Sequence, residues 1–280
     1  MNDVAIIGAG ELGGTLAHVL ARGDAAHAIR LLDETRTVAV GKALDIMQAA
    51  PIERFHTVVS GGRDLLRAAG ATVVVIADQA SGTEWTGDDG IALLGRIVRT
   101  TPGAIFLCAG ATQRELVERG VRELGVRRER LLGSAPEALV GALRAIVGLE
   151  AKGSPKDVAL SVLGVPPDKL IVPWDEATIA GLGITRVLDV AARRRVEGRV
   201  PALWPPGPLA LASAAARVTE AFLTGSRRVV SAFVAPDDTY GRRAKAAALP
   251  VRLRAEGLLN IELVGLSARD RVALDNAMLL

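Results

Sequence analysis

The first 33 residues restrict the fold more than any other part of the chain. Val4-Ala5-Ile6-Ile7 is a short apolar run, followed by Gly8-Ala9-Gly10-Glu11-Leu12-Gly13, a helix-compatible stretch, and Ile29-Arg30-Leu31-Leu32-Asp33. Nearly continuous apolar runs suit strands buried on both faces of a parallel sheet. Each glycine has its own physical purpose. Gly8 permits the tight strand-to-helix turn, Gly10 lets a pyrophosphate approach the backbone, and Gly13 lets the helix pack on the sheet. The helix starting near Glu11 and Leu12 offers free amides and the positive end of its dipole to an anion. Asp33 follows Gly13 by 20 residues, where a carboxylate accepts hydrogen bonds from adenosine ribose hydroxyls. Its charge repels a 2′-phosphate and favours NAD over NADP, with Arg36 pulling the other way. The candidate cofactor-binding residues are therefore Gly8, Gly10, Glu11, Leu12, Gly13 and Asp33. The competing reading is a fold that keeps the tight turn without using it for binding.

The alternation continues through the first half. Strands are expected at Val4 to Ile7, Ile29 to Leu32, Val73 to Ile76 and Ala104 to Leu107. Helices are expected at Glu11 to Ala21, Arg36 to Ala50, Ile91 to Arg99 and Gln113 to Leu124. This pattern predicts an α/β fold with a Rossmann-type doubly wound parallel sheet. Beyond about residue 150 it changes to an α+β C-terminal lobe. Strands are expected at Val158 to Leu163, Val229 to Val234, Pro250 to Leu253 and Ile261 to Val264, with Gly257 in a turn. Helices are expected at Leu209 to Leu223 and Ala268 to Met278, and a proline-rich loop at Val196 to Pro208. The division is placed at 1–140 and 141–280.

Half the residues are apolar but only 3% are aromatic, so the core is built from Ala, Val, Leu and Ile. The net charge is +3. Arginines cluster at 127–128, 193–195 and 242–243, but interleaved acids make these solvated helix faces rather than a nucleic-acid stripe. The single cysteine, Cys108, cannot form an intramolecular disulfide and fits a reducing compartment. Residues 1–10 run directly into a strand without a leader-like pattern, and prolines interrupt the apolar run after Leu203. The expectation is a cytoplasmic protein with no membrane or nucleic-acid partner and no metal site.

Gly41-Lys42-Ala43-Leu44-Asp45-Ile46-Met47-Gln48-Ala49-Ala50-Pro51 and the segment from Gly8 to His18 resemble the malate/lactate dehydrogenase family, especially its bacterial malate dehydrogenase branch. Weaker echoes are Val162-Leu163-Gly164, Ile171-Val172-Pro173, the helix from Leu209, and Tyr240-Gly241. The resemblance implies a Rossmann lobe, a mixed catalytic lobe, NAD, and a homo-oligomer, either a dimer or a tetramer. It also implies that Ala39, Gly41 and Ala43 face another subunit; ordinary packing on the chain's own sheet is the alternative.

The family reaction needs a base, a carboxylate to orient it, and arginines for the substrate carboxylate. Carried onto this chain, the family's histidine falls on Pro166, and only Asp168 matches the surrounding loop. The orienting aspartate falls on Leu139 and the carboxylate-binding arginine on Ala142, with Arg144 matching a flanking arginine. The two lid arginines read Ser81 and Gly87. The Thr-Asn-Pro loop reads Cys108-Ala109-Gly110, and the cofactor loop Thr-Ala-Gly reads Ala77-Asp78-Gln79, an alteration expected to affect the nicotinamide end. No histidine follows His56. Lys169, if buried, is a substitute base, and Cys108 a candidate nucleophile; surface lysine and an inert thiol are the plainer readings. His18 is expected to pack or face solvent, and His56 to lie in a loop.

The favoured function is an NAD(H)-binding sensor or partner subunit without malate or lactate dehydrogenase activity. The alternative is an active oxidoreductase with an apolar pocket of Trp85, Leu139, Ala142, Pro166 and Trp174. A scaffold that binds no nucleotide is the third reading.

Overall fold

The protein is seen here in a computed structural model, which describes residues 2–237, 244–263 and 265–279. The Tyr240-Gly241 resemblance, Arg242-Arg243 and Val264 lie outside the described residues. The first half runs β1 (Asp3–Ile7), α1 (Glu11–Arg22), β2 (Ala28–Leu32), α2 (Arg36–Glu53), β3 (Val58–Gly62), β4 (Val73–Ile76), α3 (Gly87–Thr100), β5 (Ile105–Cys108), α4 (Arg114–Leu124), β6 (Leu131–Gly133) and α5 (Ala135–Glu150). Parallel pairing gives the order β3-β2-β1-β4-β5-β6. The order reverses between β1 and β4, so the crevice at their carboxyl ends is the natural ligand position in such a sheet. Both strands are wholly buried, as the Val4 to Ile7 and Val73 to Ile76 runs require, and the buried Asp3 that opens β1 pairs with Arg30.

The second half runs β7 (Val158–Ala159), β8 (Leu163–Val165), β9 (Lys169–Ile171), β10 (Thr178–Ile179), β11 (Leu182–Gly183), α6 (Ile184–Val187), α7 (Val190–Arg199), α8 (Pro208–Thr224), β12 (Val229–Val234), β13 (Ala247–Arg254), β14 (Gly257–Ile261) and α9 (Ala268–Ala277). β12 pairs antiparallel with β6, and the same sheet continues through β13, β8 and β9. β7, β10 and β11 form a small separate sheet. The α/β architecture with a Rossmann-type sheet and a mixed C-terminal region is thus as the sequence predicts.

Several local expectations are corrected. Strand β3 was not expected because Val58-Val59 runs into Ser60-Gly61-Gly62. Its glycine serves close packing: a Cβ on Gly61 would lie 2.3 Å from the Ala39 carbonyl oxygen of α2. The expected strand Val158 to Leu163 is split, because the Val162 amide donates to the Ser231 hydroxyl at 3.0 Å instead of to a ladder partner. The expected loop from Val196 to Pro208 is helical as far as Leu203: α7, capped by Asp189 on the Ala192 amide, runs to Arg199 and a 3-10 turn follows over Val200–Leu203. Gly257 opens the return strand, with φ +130° and its face against the Glu129 carbonyl, so that strand runs earlier, over Gly257–Ile261.

Candidate functional site

The loops after β1, β2, β4 and β5 meet along one crest of the sheet. Gly8, with φ +112°, turns the chain from β1 toward α1, and a Cβ there would lie 2.2 Å from the Asp78 carbonyl oxygen. A Cβ on Gly13 would lie 2.1 Å from the Gly8 carbonyl oxygen, so helix and strand touch where the sequence reading places their contact. Lys42 of α2 donates to the Gly10 carbonyl at 2.6 Å. Glu11 is exposed in the first turn of α1.

The anion-facing amides are already engaged. Gly10 N–H donates to the Asp78 carbonyl at 3.0 Å. The amides of Leu12 and Gly13 donate to the Asp78 carboxylate at 3.2 and 2.9 Å. Asp78 is 7% exposed, and its carboxylate caps α1, a role Gly10 cannot fill because it has no side chain. Asp33 also turns inward: its carboxylate accepts from the amides of Ala9 at 2.8 Å, Ala80 at 2.9 Å and Thr35 at 2.8 Å. Beside it lies a cavity of about 250 Å³ lined by residues including Leu32, Asp33, Glu34, Arg63, Trp85 and Arg96.

Asp78 begins a tight strap. Gln79 N–H donates to the Thr83 carbonyl at 2.9 Å, Gly82 N–H to the Gln79 carbonyl at 2.8 Å, and Asp78 bridges to Glu84. At its far end the Glu84 carboxylate accepts from the amides of Ala111 and Thr112 at 2.9 and 2.8 Å, and from the Thr112 hydroxyl at 2.5 Å. Ser81, at the exposed tip, donates to the Thr83 hydroxyl. Gly87, with φ +55°, starts α3. Sequence reasoning noted the altered loop at Ala77-Asp78-Gln79 but linked it to the nicotinamide end; the side chain instead lies on the helix start that a diphosphate would use. An acid directly after the switch-point strand was the available signal. Glu84 and Gln113, whose amide oxygen accepts from Gly110 N–H at 3.0 Å, were not singled out.

The remaining candidates lie apart from this crest. Pro166 is buried in the turn between β8 and β9, where Val165 pairs with Lys169. Lys169 and Asp168 are exposed, so Lys169 is not the buried base the sequence allowed. Leu139 is fully buried in a core with Val162, Val172 and Ile184. The expected apolar pocket is not assembled. Trp85 lines the cavity beside Asp33, Ala142 lines a different cleft with Arg144 and Arg217, and Trp174 lines a third with Pro167 and Asp168. Its physical reason is that Leu139 is consumed by core packing. Burial pushes the Cys108 thiol up to about 12, with the Glu84 charge adding to the shift, so the sulfur stays protonated and inert. His18, His27 and His56 lie against Glu53, Asp3 and Asp24.

Residues 2–100 match the family model for the lactate/malate dehydrogenase NAD binding domain. The chain is 28% identical to malate dehydrogenase of Thioalkalivibrio sulfidiphilus, over 99% of this chain and 96% of that protein. It is 29% identical to malate dehydrogenase of Desulforudis audaxviator, over 98% and 94%. Over nearly its whole length the chain is thus similar to bacterial malate dehydrogenases, with residues 2–100 similar to the NAD binding domain of lactate/malate dehydrogenases. Solved structures agree on the fold. Malate dehydrogenase from Salinibacter ruber superposes with a TM-score of 0.85 at 24% identity, covering 98% of this chain and 93% of that one. Lactate dehydrogenase from Cryptosporidium parvum, complexed with lactic acid and nicotinamide adenine dinucleotide, gives 0.87 at 19% identity, covering 99% and 94%.

The chain thus carries an NAD-binding domain, but its folded cradle does not fit a diphosphate. Four of the five amides from Ala9 to Gly13 already donate to Asp33 or Asp78. A Cβ on Gly10 would lie 2.2 Å from the Asp78 carboxylate, so the close approach that Gly10 permits is taken by the chain's own anion. A second anion there would compete with the chain's own carboxylates for those four donors and face a like charge, at a cost of about 1–4 kcal/mol at 4 Å.

Proposed function

We propose that this protein descends from a malate or lactate dehydrogenase, lacks that activity, and serves as an NAD(H)-responsive sensor or partner subunit. The observation that carries the reading is the turn between β8 and β9: the position corresponding to the family's proton-transferring histidine is Pro166, a residue with no proton to transfer. Supporting it, Leu139 and Ala142 stand where the orienting carboxylate and the substrate arginine are expected, and Ser81 and Gly87 replace the lid arginines. The nucleotide contacts belonging to this reading are Gly8, Gly10, Glu11, Leu12, Gly13 and Asp33.

Three broader proposals accompany it. The chain divides functionally at 1–140 and 141–280, although α5 spans that boundary. It acts in the cytoplasm; among the described residues no helix is long and apolar enough to cross a membrane. It forms a homo-oligomer, a dimer or tetramer, through α2, whose Val40, Leu44 and Ile52 are exposed. Ala39 and Ala43 on that helix are buried within the chain itself, so their small size serves internal packing.

Purified protein assayed by nicotinamide absorbance with malate, lactate, oxaloacetate or pyruvate is expected to stay at background. Turnover of about 1 s⁻¹ or more, a low ordinary enzyme rate, would overturn the reading.

A further inference from the structure

We propose that the strap from Asp78 to Glu84 is an internal occupant of the nucleotide cleft, so that strap closure and nucleotide binding exclude one another. This deepens the NAD(H)-responsive reading by naming what the nucleotide must displace, and it holds whether or not the back lobe catalyses a reaction.

The two ends of the strap behave alike. At one end Asp78 lies on the Leu12 and Gly13 amides, against Gly10; at the other Glu84 lies on the Ala111 and Thr112 amides, against Gly110. At both glycines the space a Cβ would take is filled by a strap carboxylate, 2.2 Å away at Gly10 and 2.3 Å away at Gly110. These are the positions where a loop must come close to a bound anion or leave room for one. Asp33 completes the arrangement by accepting from the amide of Ala80 inside the strap, as well as from that of Ala9. Three carboxylates therefore hold the strap and the glycine loop as one closed unit.

Closure also leaves a cost behind. The indole Nε1 of Trp85 and the side-chain nitrogen of Gln113 are buried without a hydrogen-bond partner among the described residues. Buried donors left unmade favour an alternative arrangement in which they reach water or a ligand. Both lie at the Glu84 end, in the residue following it and in the side chain that holds Gly110. The strap is thus held down by its carboxylates and opposed by two orphaned donors beside it. A diphosphate that takes the Leu12 and Gly13 amides removes the Asp78 anchor and frees the rest to lift.

The test compares ADP and NADH binding by isothermal titration to the wild type, Asp78→Ala and Asp78→Asn, with hydrogen exchange followed across 78–86. Both variants are expected to bind about tenfold more tightly or better, and nucleotide should speed exchange at the Gln79 and Gly82 amides of the wild type. If folded variants bind no more tightly than the wild type, the proposal is overturned. It is equally overturned if the wild type binds NADH at micromolar concentration with strap exchange unchanged. Should loss of the α1 cap unfold both variants, Glu84→Gln releases the other end and carries the same expectation. Dehydrogenase turnover would overturn the function proposed above and leave this inference standing; unchanged affinity would do the reverse.

Discussion

At the carboxyl ends of β1 and β4, Asp33 and Asp78 press their carboxylates onto backbone amides. At positions 139 and 166, by contrast, the chain presents a leucine and a proline to its own interior. Both regions are closed, but by different physics. The front is closed by charge-assisted hydrogen bonds, which another anion can replace one for one. The back is closed by dispersion and burial, which only a matching apolar group can replace. A site closed in the first manner stays within reach of a ligand; one closed in the second manner has become core.

The largest effect separating the two belongs to the back. Leu139→Asp places an unpaired charge at a fully buried position and should cost about 4 kcal/mol or more. Urea denaturation measures it, and a variant as stable as the wild type would show that the back is as replaceable as the front. Gly10→Ala probes the front. Its Cβ would lie 2.2 Å from the Asp78 carboxylate and 2.4 Å from the Gln79 carbonyl oxygen, an overpacking expected to cost about 1–3 kcal/mol. A thermal melt with no shift would mean the strap moves aside freely.

The smallest effect lies where the two regions join. Glu137 on α5 accepts from the Ser231 amide of β12 at 2.9 Å and pairs with Arg217. Burial pushes its carboxyl above the ordinary range, outweighing the Ser231 amide and the arginines. The folded state therefore binds this proton more tightly than the unfolded one. Its contribution is full below the ordinary glutamate value and is lost as pH rises through the raised folded value. Lowering the pH from 7 toward 5 should thus raise wild-type stability relative to Glu137→Gln, a small difference read by paired urea melts; the opposite slope would mean Arg217 dominates.

The βα alternation and the glycine spacing made most of the front legible, because each depends on neighbours in sequence: strand, turn, helix, distal acid. Strand β3 was hidden by its Ser-Gly-Gly ending, which reads as a turn until α2 is seen lying across it. The back was read less well for a related reason. Its strands are short, and Val162 gives its amide to a hydroxyl 69 residues away. Pro166, Leu139 and Ala142 were visible as residue types, but their separation into a turn, a core and an unrelated cleft was not. Asp78 was equally visible, yet nothing local says that its carboxylate swings onto Leu12 and Gly13, 66 and 65 residues earlier. Such contacts are properties of the closed sheet and not of any window of sequence.

That sheet has a mechanical consequence. Because Phe233 pairs with Gly133 and Val234 with Leu132, the N- and C-terminal halves are joined through one continuous sheet. A Cβ on Gly133 would lie 3.0 Å from that of Phe233, leaving little play across the seam. A swing of one half against the other would have to break this shared sheet. In the proposed sensor, an excursion of the strap leaves that sheet intact, and a partner that reads it would sit directly over the strap.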